Sequence, residues 1–288
     1  MLSALIRSLR PKQWTKNGLL FAGYLFTIPQ GHSATELLRV VYAFGVFCAV
    51  SGASYIINDV VDLERDRSHP RKCKRPIASG ALPVGVAVLF AVLVLGGSAW
   101  GAFSLGAAFG AMTVGYLALT LAYSAILKHV VIVDLLTIAS LFVIRAVAGA
   151  VVIGVAISPW LLLCTTLLAL FLGLAKRRSE LLTLENGGLE HRKTLGEYTA
   201  PMLDQMLGVT ASTTLMAYCL YTFTGNTGAS HPAMMITIPF VIYGLFRYML
   251  LIQSRNAGGS PELVLLEDRP LLLSVLLYVI AAVVALRV

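Results

Sequence analysis

Charge is what this chain has least of. Asp, Glu, Lys and Arg together make up 12% of its 288 residues, where a soluble globular domain carries about 25%. With 58% hydrophobic residues and a mean hydropathy of +0.82, that scarcity excludes a water-soluble fold and indicates a polytopic membrane protein. Cysteine is also sparse. Cys48, Cys73, Cys164 and Cys219 are scattered, three of them inside apolar runs, with no CxxC or Cys/His spacing, which excludes a zinc site and a disulfide framework. No Ser-His-Asp or Cys-His arrangement is visible, so nucleophilic side-chain catalysis has no support. No cleavable signal peptide is legible: Arg7, Arg10, Lys12 and Lys16 precede any long apolar run, and no small-residue cleavage site follows a short apolar core. Acids number 14 against 22 Lys and Arg, a net charge of +8. The placement of those bases decides whether the excess means nucleic acid or membrane topology.

Apolar runs near the ~20 residues that cross a bilayer predict about nine spans, at roughly 18–30, 37–57, 82–102, 104–125, 131–153, 157–175, 205–224, 233–253 and 270–287. The first is short and contains Pro29. The connections alternate. The N-terminal segment is basic, the 31–36 turn has no Lys or Arg, the 58–81 loop has six, and the turn near 103 has none. Lys128 and His129 follow in 126–130, nothing basic near 154–158, a basic 176–204 loop, a 225–232 loop without Lys or Arg, then Arg255 and Arg269. This regularity predicts an all-α, polytopic membrane helical bundle forming a single domain over 1–288. The basic loops and N-terminus are then cytoplasmic and the C-terminus lies outside. The bases are accounted for as positive-inside loops, and no nucleic-acid partner is expected. All long polar loops share one face, where chemistry on a water-soluble partner belongs.

The stretch Asn58-Asp59-Val60-Val61-Asp62-Leu63-Glu64-Arg65-Asp66 leaves the membrane at the end of the second run. Asp59, Asp62 and Asp66 are spaced 3 and 4 apart and fall on one helical stripe. Three such carboxylates repel unless a cation sits between them, and a hard divalent ion with oxygen ligands suits them. Mg²⁺ is the natural choice because it takes one or two carboxylates and leaves positions for substrate phosphates. Arg65, Arg67, Arg71, Lys72, Lys74 and Arg75 follow. Carboxylates for a metal, then cations for phosphate, is the layout of a Mg-diphosphate site.

A second charged stretch, Lys176-Arg177-Arg178-Ser179-Glu180, ends the sixth run. Lys176 and Glu180, at i,i+4, share a face. The stretch is either a positive-inside cluster with an intrahelical ion pair or a second phosphate-binding wall. Glu185-Asn186-Gly187-Gly188 reads as a turn, and His191, Arg192, Lys193, Glu197 and Tyr198 come after it. Charges within spans default to functional roles. Arg145 needs either an acid in the bundle or a bound anion, Arg247 lies in the eighth run, and Asp134 reads as an interfacial residue. Tyr123, Ser124 and Lys128 mark the cytoplasmic end of the fourth run. Leu2–Lys16, with Arg10-Pro11-Lys12-Gln13-Trp14, reads as a helix lying on the membrane surface, and Pro270 suits the first turn of the last span.

Asn58-Asp59-xx-Asp62-xxx-Asp66 after a second span, Tyr123-Ser124 with Lys128 after a fourth, and nine spans overall resemble the UbiA superfamily of intramembrane prenyltransferases, over nearly the whole chain. The resemblance implies a helical bundle around a central cavity, two charged motifs on the cytoplasmic side and a lateral opening for lipid. One departure stands out: where ordinary members carry a second Asp-rich motif for a second Mg²⁺, this chain has Lys176-Arg177-Arg178-Ser179-Glu180. That change, together with Arg10-Pro11-Lys12-Gln13-Trp14-Thr15-Lys16-Asn17 and Glu267-Asp268-Arg269-Pro270, is similar to the branch that transfers phosphoribose to decaprenyl phosphate. It implies phosphoribosyl diphosphate as donor, polyprenyl phosphate as acceptor, and a product feeding arabinan synthesis in mycobacterial-type cell walls.

Under that reading Asp59, Asp62 and Asp66 are the catalytic, Mg²⁺-binding acids. Lys16, Asn58, Arg65, Arg71, Lys74, Arg75, Tyr123, Lys128, Arg145, Lys176, Arg177, Glu180 and Tyr198 are candidate substrate-binding residues. The expected location is the plasma membrane, with the active site facing the cytoplasm; homo-oligomerisation is left open. Two other classes compete: an ordinary prenyltransferase acting on an aromatic acceptor, and a transporter. A transporter places charges near the bilayer midplane, whereas most charges here lie at one interface.

Overall fold

The computed structural model describes residues 1–69, 72–185, 193–224, 230–255, 257–259 and 261–287. Among these every regular element is helical. The chain begins with α1 (Leu2–Ser8), a ten-residue 3₁₀ helix (Pro11–Leu20) and α2 (Phe21–Phe26). The long α3 (Ala34–Val61) is followed by α4 (Leu63–Ser68), α5 (Val84–Ser104), α6 (Ala107–Ala125), α7 (Val133–Ile153) and α8 (Pro159–Glu185). Then come α9 (Ala200–Thr224), α10 (Ile238–Arg255), α11 (Pro261–Glu267) and α12 (Arg269–Ala285). Seven described helices are long and apolar enough to cross a membrane: α3, α5 to α9, and α10 with the 3₁₀ turn Pro232–Thr237 before it. The apolar α12 has 17 residues.

Local chemistry sets the boundaries. At the start of α3 the Ser33 hydroxyl accepts from the Glu36 N–H at 3.2 Å while the Glu36 carboxylate accepts from the Ser33 N–H at 2.8 Å, a reciprocal capping box. α12 starts as its sequence indicates, with Asp268 accepting from the Leu271 N–H at 2.9 Å and Pro270 in the first turn.

The first predicted span takes a different form. Residues 18–30 are not one α-helix; they hold the end of the 3₁₀ helix, the six-residue α2 and a 3₁₀ turn over Ile28–Gln30. Polar Lys12, Gln13, Thr15, Lys16 and Asn17 supply no apolar α-helical face, and tertiary contact holds the segment instead. The close approach is made at Gly149 of α7, where a Cβ would lie 1.9 Å from the Leu20 carbonyl oxygen, so only glycine admits the segment. The tighter coil also lengthens it. Ten 3₁₀ residues and six α-helical ones rise roughly 29 Å, close to the ~30 Å hydrocarbon thickness.

Successive long helices alternate in direction: Arg39 near the start of α3 donates to the Leu105 carbonyl at the end of α5, Gly110 near the start of α6 lies against Phe103 at the end of α5, and Arg177 and Arg178 of α8 pair with Asp134 and Asp204 in the first turns of α7 and α9. The C-terminal ends of α3, α6, α8 and α10 therefore share one end of the bundle with the first turns of α5, α7, α9 and α12. Of the 13 acids among the described residues, all but Glu36 fall on that end or in its connections, while Arg39 and Arg287 fall at the opposite one. The two larger of four apolar clusters among the described residues fill the two halves of the bundle. One packs Phe47, Phe109 and Tyr116 with Leu20, and the other packs Phe171, Leu203, Tyr248 and Ile252.

Candidate active site

The last turn of α3 delivers Asn58 and Asp59 to the charged end. Asp62 follows at a break in the helix, with φ −90° and ψ +14°, and α4 supplies Arg65 and Asp66. Asp59 and Asp66, two turns apart, stay on the buried side; Asp62 at the break is 35% exposed, with Arg65 at 4.0 Å. The predicted stripe of three acids is thus a buried pair and an outlying third. Arg75 lies between the two buried acids, 3.0 Å from Asp59 Oδ1 and 2.5 Å from Asp66 Oδ2. Arg10 donates to the same Asp59 oxygen. Buried carboxylates are tolerated only when paired, and these two guanidinium groups provide the pairing. Asp66 Oδ1, also buried, has no hydrogen-bond partner among the described residues. No group of three His, Cys, Asp or Glu side chains among those residues is placed to hold a metal. The donor set of Asp59 and Asp66, with one buried oxygen left over, nevertheless has the hard-oxygen chemistry that suits Mg²⁺.

The second stretch is arranged differently from the predicted wall. Arg177 is fully buried, its Nε 3.0 Å from Asp134 Oδ2 and its Nη1 donating to Glu180. Asp134, expected as an interfacial residue, is fully buried in this pair. The Arg177 contact with Asp134 is Coulombic rather than a well-aligned hydrogen bond, and Arg177 Nη2 makes no hydrogen bond among the described residues. Arg178 pairs with Asp204 of α9 at 2.5 Å. The acid of this motif reaches Arg177 three residues back; Lys176 is half-buried. Tyr198 is buried, and its hydroxyl accepts from the Ile132 N–H at 3.0 Å. Ile132 has φ +67°, a conformation that β-branched residues strongly disfavour, so this bond holds a strained turn two residues before Asp134. Burial pushes the Tyr198 hydroxyl above its ordinary pKa.

Arg145 has its partners inside the bundle, and they are neutral. It donates to Asn17 Oδ1 at 2.8 Å, the Leu141 carbonyl at 3.0 Å and the Tyr116 hydroxyl at 2.6 Å. Its guanidinium lies 4.8 Å from the Tyr116 ring centroid. It therefore ties the N-terminal segment to α6 and α7. Arg247 pairs with Asp268 at 2.8 Å across the base of α12. The remaining predicted residues lie at the charged end. Arg65 and Lys74 are exposed, Asn58, Tyr123 and Lys128 are half-buried, and Lys16 donates to Gln13 at 2.5 Å. Arg71 lies outside the described residues, as do 186–192, which include most of the predicted turn.

Arg10 is the functional candidate that sequence reasoning missed. Its segment reads as a surface helix, yet after α1 the chain turns at Arg10 and drives inward. The legible signal was the polar, basic Lys12–Asn17 stretch, which fits neither an apolar span nor an amphipathic face.

The UbiA prenyltransferase family profile matches residues 18–266. A decaprenyl-phosphate phosphoribosyltransferase of Corynebacterium glutamicum is 35% identical over 99% of this chain and 87% of that protein. One of Mycobacterium tuberculosis is 36% identical over 97% of this chain and 93% of its own length. Among solved structures, a UbiA homolog from Archaeoglobus fulgidus bound to GPP and Mg²⁺ superposes with a TM-score of 0.73 at 20% identity, covering 99% of this chain and all of that one.

Proposed function

The chain belongs to the UbiA prenyltransferase family, and from that membership we propose that it transfers phosphoribose from 5-phosphoribosyl 1-diphosphate to a polyprenyl phosphate such as decaprenyl phosphate. It is a multi-pass membrane enzyme of the transferase class. The observation that carries the substrate assignment is likeness over nearly the full length to phosphoribosyltransferases at about 35% identity. The charge layout supports it. The first site holds an acid pair with two guanidinium groups, and at the second both Glu180 and Asp204 are engaged by arginines. A donor with a diphosphate and a separate 5-phosphate, meeting an acceptor phosphate, needs many cations and few metal-binding acids.

Asp59 and Asp66, with Asp62 at the rim, would hold Mg²⁺. When bound, the ion supplies charge neutralisation at the leaving diphosphate. An acceptor phosphate oxygen bonds to the ribose C1 as the bond from C1 to the diphosphate oxygen breaks. The electron pair leaves with the diphosphate, and the acceptor, already an anion near neutral pH, needs no general base. Asn58 and Arg75 would orient the donor. Lys16, Arg65, Lys74, Lys128 and Lys176 form the basic surround, and such cations stabilise charge that develops during transfer. The apolar spans hold the polyprenyl tail. We read nine crossings, counting the 3₁₀ segment with α2 and the 17-residue α12, in the plasma membrane with the charged end cytoplasmic.

Purified protein should convert labelled phosphoribosyl diphosphate and decaprenyl phosphate into a lipid-linked phosphoribose. Turnover of a prenyl diphosphate with an aromatic acceptor, and none of phosphoribosyl diphosphate, would replace this reading with ordinary prenyl transfer.

A further inference from the structure

Arg10 is held in place by its neighbours on both sides. Its backbone has φ +52°, in the left-handed region that non-glycine residues seldom adopt. Just before it, Leu9 sits so close to α3 that a Cβ on Gly52 would lie 2.7 Å from Leu9 Cδ2. Just after it, Trp14 Nε1 donates to the Leu9 carbonyl at 3.2 Å, and Asn17 is fixed by Ser51 at 3.2 Å and by Arg145. The result is a guanidinium stacked 4.8 Å from the Tyr55 ring centroid with its tip on Asp59 Oδ1. Asp59 is 3% exposed and the Arg10 side chain 27%. The acid is enclosed, and the base reaches it from the solvent side.

We propose that Arg10 is a donor-binding residue that exchanges partners, holding Asp59 in the unloaded site and passing to the donor's diphosphate when a divalent cation takes that carboxylate. This deepens the phosphoribosyl-transfer reading and rests on it. One carboxylate oxygen already receives two guanidinium groups, Arg10 and Arg75 at 3.0 Å, so it cannot also ligate a cation until one withdraws. Arg75 is anchored by both Asp59 and Asp66, whereas among the described residues Arg10 forms its ion pair with Asp59 alone. Arg10 is therefore the easier to release. A cation arriving alone would leave the Arg10 charge without its acid. A cation arriving with a diphosphate brings the anion that Arg10 then pairs with, and Arg10 suits it because a guanidinium fork matches phosphate oxygens. Cation and diphosphate should thus bind with positive coupling, and the coupling must be reciprocal.

The test uses Mn²⁺ as a spectroscopic probe, titrated into full-length protein in detergent, alone, with inorganic pyrophosphate, or with phosphoribosyl diphosphate. In the wild type, either phosphate ligand should tighten Mn²⁺ binding about tenfold or more. In Arg10→Gln, Mn²⁺ alone should bind about tenfold tighter than in the wild type, while pyrophosphate and the donor bind about tenfold more weakly and the coupling collapses. Arg10→Lys keeps the charge but loses the fork and the Tyr55 stack, and should show the same two shifts at reduced size. A merely structural role lowers both affinities together. Mn²⁺ affinity that is unchanged or weaker in Arg10→Gln, with the melting temperature of the wild type, overturns the exchange; if that variant does not fold, the same result in Arg10→Lys overturns it. Wild-type protein that couples Mn²⁺ to pyrophosphate but never binds phosphoribosyl diphosphate refutes the donor assignment and leaves the exchange standing.

Discussion

Replacing Asp134 by Ala tests whether Arg177 is a pillar of the fold or part of a phosphate-binding wall. Both side chains are fully buried, 3.0 Å apart. Removing the acid leaves Arg177 with Glu180, a partner that is itself 25% exposed. Breaking a buried ion pair from one side costs about 3–5 kcal/mol, and the surviving Glu180 contact places this case near the lower end. At ~3 kcal/mol the melting midpoint in detergent should fall by roughly 6–12 °C, on the scale for chains of this size. The double replacement Asp134→Leu with Arg177→Met removes both charges and keeps the volume. It should recover most of that loss, because apolar substitution of a whole buried pair is often neutral or stabilising. Circular dichroism melts of the three proteins measure this, with donor titrations alongside. If Asp134→Ala melts within the scatter of the wild type yet loses donor affinity, the pair is substrate-binding machinery and the structural assignment is wrong.

Asp59→Asn or Asp66→Asn should lower turnover about a hundredfold or more, with Asp62→Asn milder; EDTA should stop the wild type and Mg²⁺ restore it. Equal activity in all three variants, at matched protein level, would remove the acid pair from the chemistry. Gly149→Ala forces a Cβ to within 1.9 Å of the Leu20 oxygen and should cost ~3 kcal/mol by overpacking, seen as a lower melting temperature. Gly115→Ala, with nothing within 4 Å, is the control and should cost nothing. Tyr198→Phe loses the bond to the Ile132 N–H, about 1 kcal/mol. Because burial raises the Tyr198 pKa, its contribution is complete below the unfolded value of ~10 and is lost as pH rises through the folded value. The alkaline decline in stability should therefore be shallower in Tyr198→Phe, and an identical decline would contradict the burial of that hydroxyl.

Hydropathy made the long helices legible because a membrane span needs little beyond length and apolarity. The 3₁₀ segment escaped because what holds it is remote: Asn17 meets Arg145 and Leu20 meets Gly149, and no local pattern of residues encodes either contact. The acid motif was legible in composition but not in shape. A continuous helix would carry Asp62 on the same stripe, and the break at Asp62 is a backbone event that i,i+4 spacing cannot register. The basic motif at 176–180 could be read as exposed only while Asp134 went unrecognised as its partner. A lone acid next to an apolar run and a cation at the end of another were both visible, and the sequence left their distance unknown.

The link between Asn17 and Arg145 also has a schedule. The two residues are 128 positions apart, so a chain emerging in order has made the N-terminal segment long before the helix that receives it. At ~5–20 residues per second of synthesis, that wait is roughly 6–26 s. During it the basic Arg10–Lys16 stretch has neither Arg145 nor the Gly149 groove, and Arg10 has no settled path to Asp59. The entry of α7 is thus the event that lets the beginning of the protein be placed, so the unloaded site is finished from its earliest-made residue only after half the chain exists.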